Sequence, residues 1–117
     1  MGYKSKDCQL TVLMSVRNNA DTLVETMDSL FSQTYKNFHL LVVDDASTDQ
    51  TLDILKRYAD EHDNLTIITR SKPKGLAFNL NEMLSMAKTD YVARMDGDDV
   101  CYPDRFEAQM SFLKGKK

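Results

Sequence analysis

Short apolar runs alternate with amphipathic stretches along most of this chain. Four runs are rich in β-branched and aliphatic residues without helical spacing, which is typical of strands buried in a sheet. The predicted strands are Leu10–Val16, Phe38–Val43, Leu65–Thr69 and Tyr91–Met95. After each run, apolar residues recur every three or four positions, which predicts a helix. The apolar positions of these helices are Leu23–Phe31, Leu52–Tyr58, Leu76–Ala87 and Phe106–Leu113, and Pro103 is predicted in the first turn of the last one.

Repeated strand–helix units predict an α/β fold with three layers, α/β/α, around a mostly parallel sheet. In such sheets, ligands bind in the crevice at the carboxyl ends of the strands. Polar residues follow every predicted strand of this chain, so we expect them to share one site at that edge of the sheet.

Size, charge and cysteine content narrow the class of protein. A chain of 117 residues fits one domain, 1–117, and its net charge of −3 argues against nucleic-acid binding. No apolar run is long enough for a membrane span, and the opening residues 1–6 lack the apolar core of a secretion signal. Cys8 and Cys101 form no metal-type or disulfide pattern. We therefore expect a cytoplasmic protein, with the inner face of the membrane as an alternative for a longer chain.

Acidic residues follow two of the predicted strands. Asp96, Asp98 and Asp99 come directly after the fourth strand, and Asp45 ends an acidic pair after the second. Carboxylates this close repel one another unless a cation lies among them, and oxygen ligands favour Mg²⁺ or Mn²⁺. The alternative is a plain turn, since Asp and Gly are common in turns. Three acids in four positions exceed what a turn requires, so we predict a metal site.

The other strand ends carry polar and basic residues. Ser15, Arg17 and Asn18 lie at or after the end of the first strand, and Lys74 and Gly75 follow the third. Arg94 is placed to neutralise the acids or to bind a phosphate group, as guanidinium groups do well. These residues, together with Asp45 and Asp96, form the predicted ligand site.

Several segments resemble the family 2 glycosyltransferases, which are inverting enzymes with the Rossmann-like GT-A fold. Leu41–Asp49 is similar to the family's "VVDDGSTD" motif, and Ser29–Tyr35 to its "SLLSQTY" segment. Gly75–Ala77 with Asn81 is similar to its "GLA" stretch. Asp96–Asp99, with Pro103–Arg105 behind it, resembles the region that contains the DxD metal-binding motif. The order and spacing of these segments along about a hundred residues make the resemblance specific.

The resemblance implies transfer of a sugar, with inversion, from a nucleoside-diphosphate-sugar, here a UDP-sugar, to a glycan or lipid-linked acceptor. By position, Asp45 would bind the base or ribose, and Ser15 with Asn18 would line the nucleoside pocket. Asp96 would contact ribose or sugar, and Asp98 would hold Mn²⁺ or Mg²⁺ with Asp96. Arg17, Lys74, Gly75 and Arg94 complete the expected donor site.

The length of the chain makes us expect only the donor-binding half of such an enzyme. An inverting transferase needs a general base, which the family carries well beyond the DxD motif. No candidate for this base follows Asp99, so we expect it beyond Lys117, in an acceptor-binding half that this chain lacks. The segment alone is therefore expected to bind donor and to transfer little sugar.

Two alternatives remain open at this stage. A phosphatase of the haloacid dehalogenase type would use Asp96 as nucleophile and Asp98 as acid and base, but its motif normally lies on the first strand. A non-catalytic nucleotide-binding or interaction module would keep the pocket without transferring sugar.

Overall fold

The computed structural model describes residues 8–115, with side chains up to residue 113. Residues 1–7, 116 and 117 lie outside the described part, so the predicted domain, 1–117, extends beyond it at both ends. Four strands and four helices alternate along the chain. The strands are β1 (Leu10–Val16), β2 (Phe38–Asp44), β3 (Leu65–Thr69) and β4 (Tyr91–Asp96). The helices are α1 (Ala20–Phe31), α2 (Thr51–Glu61), α3 (Leu76–Met86) and α4 (Arg105–Gly115).

The two faces of the sheet are covered by different helices because side chains alternate along each strand. On one face, strand residues such as Val12 and Leu40 pack with Leu23 of α1, Leu55 of α2 and Phe106 of α4. On the other face, a smaller cluster joins the strands to α3. Its buried members are Leu13, Leu41, Val43 and Met83. The three-layer α/β/α prediction is confirmed.

All strand pairs of the sheet are parallel, and the strand order is β3-β2-β1-β4. The chain therefore moves outward from β1 through β2 to β3 and then crosses back to place β4 on the other side of β1. The crossing opens a crevice at the carboxyl ends of β1 and β4, which is where ligands bind in open α/β sheets.

Two predicted boundaries differ from the structure. β2 and β4 each extend one residue further than predicted, to Asp44 and Asp96, so these acids belong to the strands. The prediction that Pro103 lies in the first turn of the last helix is wrong, because α4 begins at Arg105. The Thr34 N–H donates to the Pro103 carbonyl, at 2.8 Å, and holds this residue in the preceding turn.

β4 lies at the edge of the described sheet. Val92 and Arg94, which point towards the α3 side of the sheet, are exposed. Within residues 8–115, no helix combines the length and apolar character needed to cross a membrane.

His39 gives the fold a testable dependence on pH. Its side chain is 2% exposed on β2 and shares a 2.7 Å hydrogen bond with Thr66. Burial lowers the pKa of His39 from about 6.5 to about 4, against a smaller opposing effect of Asp63. Between these values the unfolded chain binds more protons than the folded one, so stability falls as the pH drops from 6.5 to 4.

Between pH 6.5 and pH 4, we expect a His39→Gln variant to lose less folding free energy than the wild type, with a difference on the order of 2–3 kcal/mol. Urea unfolding of both proteins at several pH values measures the difference. Parallel pH profiles for the two proteins would contradict the assignment.

Candidate functional site

A cleft of about 510 Å³ opens at the carboxyl ends of β1 and β4. Seven of the residues predicted for ligand binding line it. They are Ser15, Arg17, Asp45, Gly75, Arg94, Asp96 and Asp98. The cleft therefore brings together residues that follow all four strands, as expected for a site at a strand crossover.

Asp45 forms the fixed polar wall of this cleft. It is 5% exposed, and its two carboxylate oxygens accept the backbone N–H groups of Lys74, at 2.8 Å, and Gly75, at 3.0 Å. Burial alone would raise the pKa of Asp45. The hydrogen bonds from these amides, the nearby Asn79 amide and the charge of Arg70 outweigh that effect and lower the pKa. Asp45 is thus an ionised group with a fixed direction at neutral pH.

Gly75 allows the loop after β3 to reach Asp45. Its φ of +90° lies in a region that side chains rarely adopt, so glycine suits this position. The same loop carries Lys74, whose ammonium group lies 5.4 Å from the ring centre of Phe78. Lys74 therefore contributes its backbone amide to the site, while its side chain lies beside the cleft.

The acidic turn, residues 96–99 at the end of β4, forms the opposite wall of the cleft. Carboxylate oxygens of Asp96, Asp98 and Asp99 lie within 4.8 Å of one another. The Asp96 N–H donates to the Asp99 carboxylate at 3.0 Å, and the Asp99 N–H donates to the Asp96 carbonyl at 3.1 Å. Arg94 pairs with Asp96 at 3.3 Å, but both side chains are about half exposed, so this pair offsets the acidic charge only in part. Clustered oxygen donors of this kind fit a hard divalent cation such as Mg²⁺ or Mn²⁺.

Gly97 fixes the acidic turn onto α1. The hydroxyls of Thr22 and Thr26 donate to the Gly97 carbonyl at 2.9 and 3.1 Å. A Cβ atom at Gly97 would lie 2.8 Å from the Asn19 side chain and 2.9 Å from Val16, so a larger residue would displace the turn. The direction of the neighbouring carboxylates therefore depends on a tight contact with α1.

Residues 11–117 match the family model for glycosyl transferase family 2. The chain belongs to glycosyl transferase family 2. It is 46% identical over 107 residues to the putative glycosyltransferase EpsE of Bacillus subtilis, covering 91% of this chain and 38% of that protein. The chain thus spans less than half the length of this curated relative.

Two solved structures of glycosyltransferases share the fold of this family member. Staphylococcus aureus TarS 1–349 in complex with UDP-GlcNAc superposes with a TM-score of 0.85 at 27% identity, covering 92% of this chain and 31% of that one. The mannosyltransferase PcManGT from Pyrobaculum calidifontis, in complex with GDP-Man and Mn²⁺, gives a TM-score of 0.74 at 32% identity. That match covers 83% of this chain and 29% of the other.

Asn18 was predicted to line the nucleoside pocket, but it is not among the residues that line the cleft of this family 2 protein. It adopts a positive φ of 53°, and its side-chain oxygen accepts the N–H groups of Thr48, at 2.7 Å, and Asp49, at 3.3 Å. Its own N–H donates to the Ser47 hydroxyl at 2.9 Å. In the structure, Asn18 holds the loop between β2 and α2.

Some residues of the site were missed by the sequence analysis. Four further residues line the cleft, and each neighbours a predicted one in sequence or in the acidic turn. They are Val16, Asn19, Leu76 and Gly97. Asn79 was also missed. A signal existed, because this polar residue lies three positions after Leu76 and four before Met83, on the apolar side of a predicted helix.

Proposed function

We propose that this chain is the donor-binding half of a glycosyltransferase. It binds a nucleoside-diphosphate-sugar, with a UDP-sugar as the preferred donor. The observation that carries this proposal is the cleft itself, because the ionised Asp45 and the acidic turn face the same space in a family 2 chain. The TarS and PcManGT complexes, which hold UDP-GlcNAc and GDP-Man, support a ligand of this class.

The two walls of the cleft suit the two ends of a nucleotide-sugar. Asp45 accepts hydrogen bonds from the base or ribose, beside the Ser15 hydroxyl. Asp96 and Asp98 hold Mn²⁺ or Mg²⁺, and the Mn²⁺ in the PcManGT complex supports a metal in this role. Such an ion offsets the negative charge that develops on the departing diphosphate. Arg94 and Arg17 line the same cleft and add positive charge near the phosphates.

Acceptor activation is proposed to lie outside this chain. Among the acids after Asp99, Asp104 precedes α4 and is exposed, and Glu107 accepts a hydrogen bond from Thr34. Neither is among the residues that line the cleft, so neither is placed to deprotonate an acceptor hydroxyl there. The complete enzyme would transfer the sugar with inversion to a glycan or lipid-linked acceptor. The chain alone would bind donor and turn over little of it.

We also propose a cytoplasmic location, because Cys8 and Cys101 are free thiols, which suits a reducing compartment.

The phosphatase alternative is not favoured, because the family match covers residues 11–117 and includes the acidic turn. A phosphatase would form a phospho-aspartate at Asp96, which fluoroberyllate would mimic.

A thermal-shift titration tests the proposed function. We expect UDP with Mn²⁺ to raise the melting temperature, and UDP alone to raise it less, because a ligand of the native state stabilises it by mass action. UMP with Mn²⁺ is the matched control, since it lacks the second phosphate that the metal would bind. The proposal would be contradicted if no nucleoside diphosphate, at millimolar concentration and with Mn²⁺ present, raised the melting temperature above that of the protein without nucleotide.

A further inference from the structure

Asn79 joins the ends of three strands beneath the cleft. Its side chain is 0% exposed on α3. The amide nitrogen donates to the Ser15 hydroxyl, at the end of β1, over 3.0 Å. The same side chain lies near Asp45, directly after β2, and helps to lower the pKa of that carboxyl. The amide oxygen accepts two N–H groups of Arg70, which follows β3, both at 3.1 Å.

These contacts leave the Asn79 amide a single orientation. An asparagine side chain has an NH₂ group that donates and an oxygen that accepts two hydrogen bonds. Here the NH₂ group donates to Ser15, and both acceptor positions are taken by Arg70. Rotating the amide by half a turn would place its NH₂ group against the Arg70 donors. The guanidinium of Arg70 therefore determines which end of the amide faces Ser15 and Asp45.

Arg70 is itself held by α3 and lies outside the cleft lining. Its side chain is 12% exposed and pairs with Glu82, one turn after Asn79 on the helix. Its guanidinium carbon lies 5.3 Å from the ring centre of Phe78. Three residues of α3 thus fix one cation below the site, at a position from which it does not reach the open space.

We propose that Asn79 and Arg70 are positioning residues of the donor site, which set the direction of the Asp45 carboxylate and the Ser15 hydroxyl before the nucleotide binds. This inference rests on the proposed function. A carboxylate that already accepts hydrogen bonds from two backbone amides, with the Asn79 amide beside it, loses little side-chain freedom when a ligand arrives. Neither residue touches the nucleotide, and both raise its affinity through Asp45 and Ser15.

The position of Asn79 argues for this role over simple packing. α3 covers its face of the sheet with Leu80, Met83 and Met86. A leucine at position 79 would extend that apolar surface, and a buried amide is stable only where partners satisfy it. The buried polar residue occurs at the turn of α3 that lies under the cleft, where it donates to Ser15 of the cleft lining and lies near Asp45.

The test compares Asn79→Leu with the wild-type protein. Leucine keeps the number and branching of the side-chain heavy atoms but removes all the hydrogen bonds of the amide. We expect UDP affinity, measured by calorimetry in saturating Mn²⁺, to fall at least tenfold. In the free protein, the carboxyl ¹³C titration of Asp45 should move to higher pH. Mn²⁺ affinity without nucleotide should stay within twofold of wild type, because the acidic turn is not part of the network.

Two further variants complete the design. Arg70→Lys keeps the positive charge but loses the two-pronged contact with Asn79, and we expect a loss of UDP affinity in the same direction. It also replaces Asn79→Leu if that variant does not fold. Ser85→Ala, at an exposed position of the same helix, is the control and should bind UDP as the wild type does.

The outcomes separate this inference from the proposed function. If Asn79→Leu and Arg70→Lys bind UDP within twofold of wild type while Asp45→Ala loses binding, the positioning role is wrong and the donor site stands. If the wild-type protein binds no nucleoside diphosphate, the proposed function fails. The inference then fails with it as a statement about donor binding, whatever the Asp45 titration shows.

Discussion

The gain in UDP affinity that Mn²⁺ produces is expected to be at least tenfold smaller in an Asp98→Asn variant than in the wild type, a difference of about 1.4 kcal/mol. Asparagine has nearly the same shape as aspartate, but it is neutral and a weaker ligand for a hard cation. The Asp98 side chain is exposed, and the hydrogen bonds that hold the turn involve Asp96, Gly97 and Asp99 rather than its carboxylate. The substitution should therefore change the metal site and leave the turn intact.

Calorimetric titration of UDP with and without Mn²⁺ gives the metal-dependent gain for each protein. Asp104→Asn is the matched control, because it removes the same charge at an exposed position outside the cleft lining. Equal Mn²⁺-dependent gains in the Asp98→Asn variant and the wild type would remove Asp98 from the metal site.

A Gln33→Ala variant is expected to lose about 3 kcal/mol of folding free energy. Gln33 is 0% exposed at the end of α1. Its amide nitrogen donates to the carbonyls of Ser29, at 3.3 Å, and Tyr102, at 2.7 Å, and its oxygen accepts the Phe106 N–H at 2.9 Å. Truncation removes the acceptor of the Phe106 N–H and one donor from each of the two carbonyls, although the Arg105 N–H still donates to Tyr102. It also opens a cavity between α1 and α4.

Urea unfolding measures this loss, and a fall of this size is a large part of the stability of a small domain. Gln33→Leu separates the two causes, since leucine fills the cavity but restores no hydrogen bond. Gln109→Ala, at an exposed position of α4, should cost little. A Gln33→Ala variant as stable as the Gln109→Ala variant would show that the contact contributes no stability.

The fold could be predicted where local pattern determines it. The predicted strands Leu10–Val16 and Leu65–Thr69 have the bounds found in the structure, because both are short apolar runs next to polar residues. The start of α4 could not be predicted this way. Proline suits a first helical turn, but the contacts of Thr34 and Gln33 hold residues 102 and 103 outside the helix.

The same distinction applies to the candidate site, where some residues could be placed from local pattern and others depend on partners distant in sequence. Ser15, Asp45 and Asp98 lie at or just after strand ends, and the carboxyl ends of parallel strands meet at one edge. Sequence alone therefore indicated that they would share a cleft. Thr26 and Asn79 could not be assigned their partners in this way. Their hydrogen bonds span 71 and 64 residues of the chain, and helical periodicity does not specify which distant backbone or side chain a buried polar group will meet.

The position of β4 affects how substitutions in the cleft behave. Within the described sheet, β4 has a strand on one side only, so its outer edge before Asp96 lacks a strand partner there and could pair with a strand of another molecule. Charged side chains on such an edge oppose this kind of self-association. Arg94 and Asp96 supply that charge, and both also line the cleft. A neutral substitution at Arg94 would therefore favour aggregation as well as altering the cleft, and its nucleotide affinity is meaningful only where sedimentation shows a monomer.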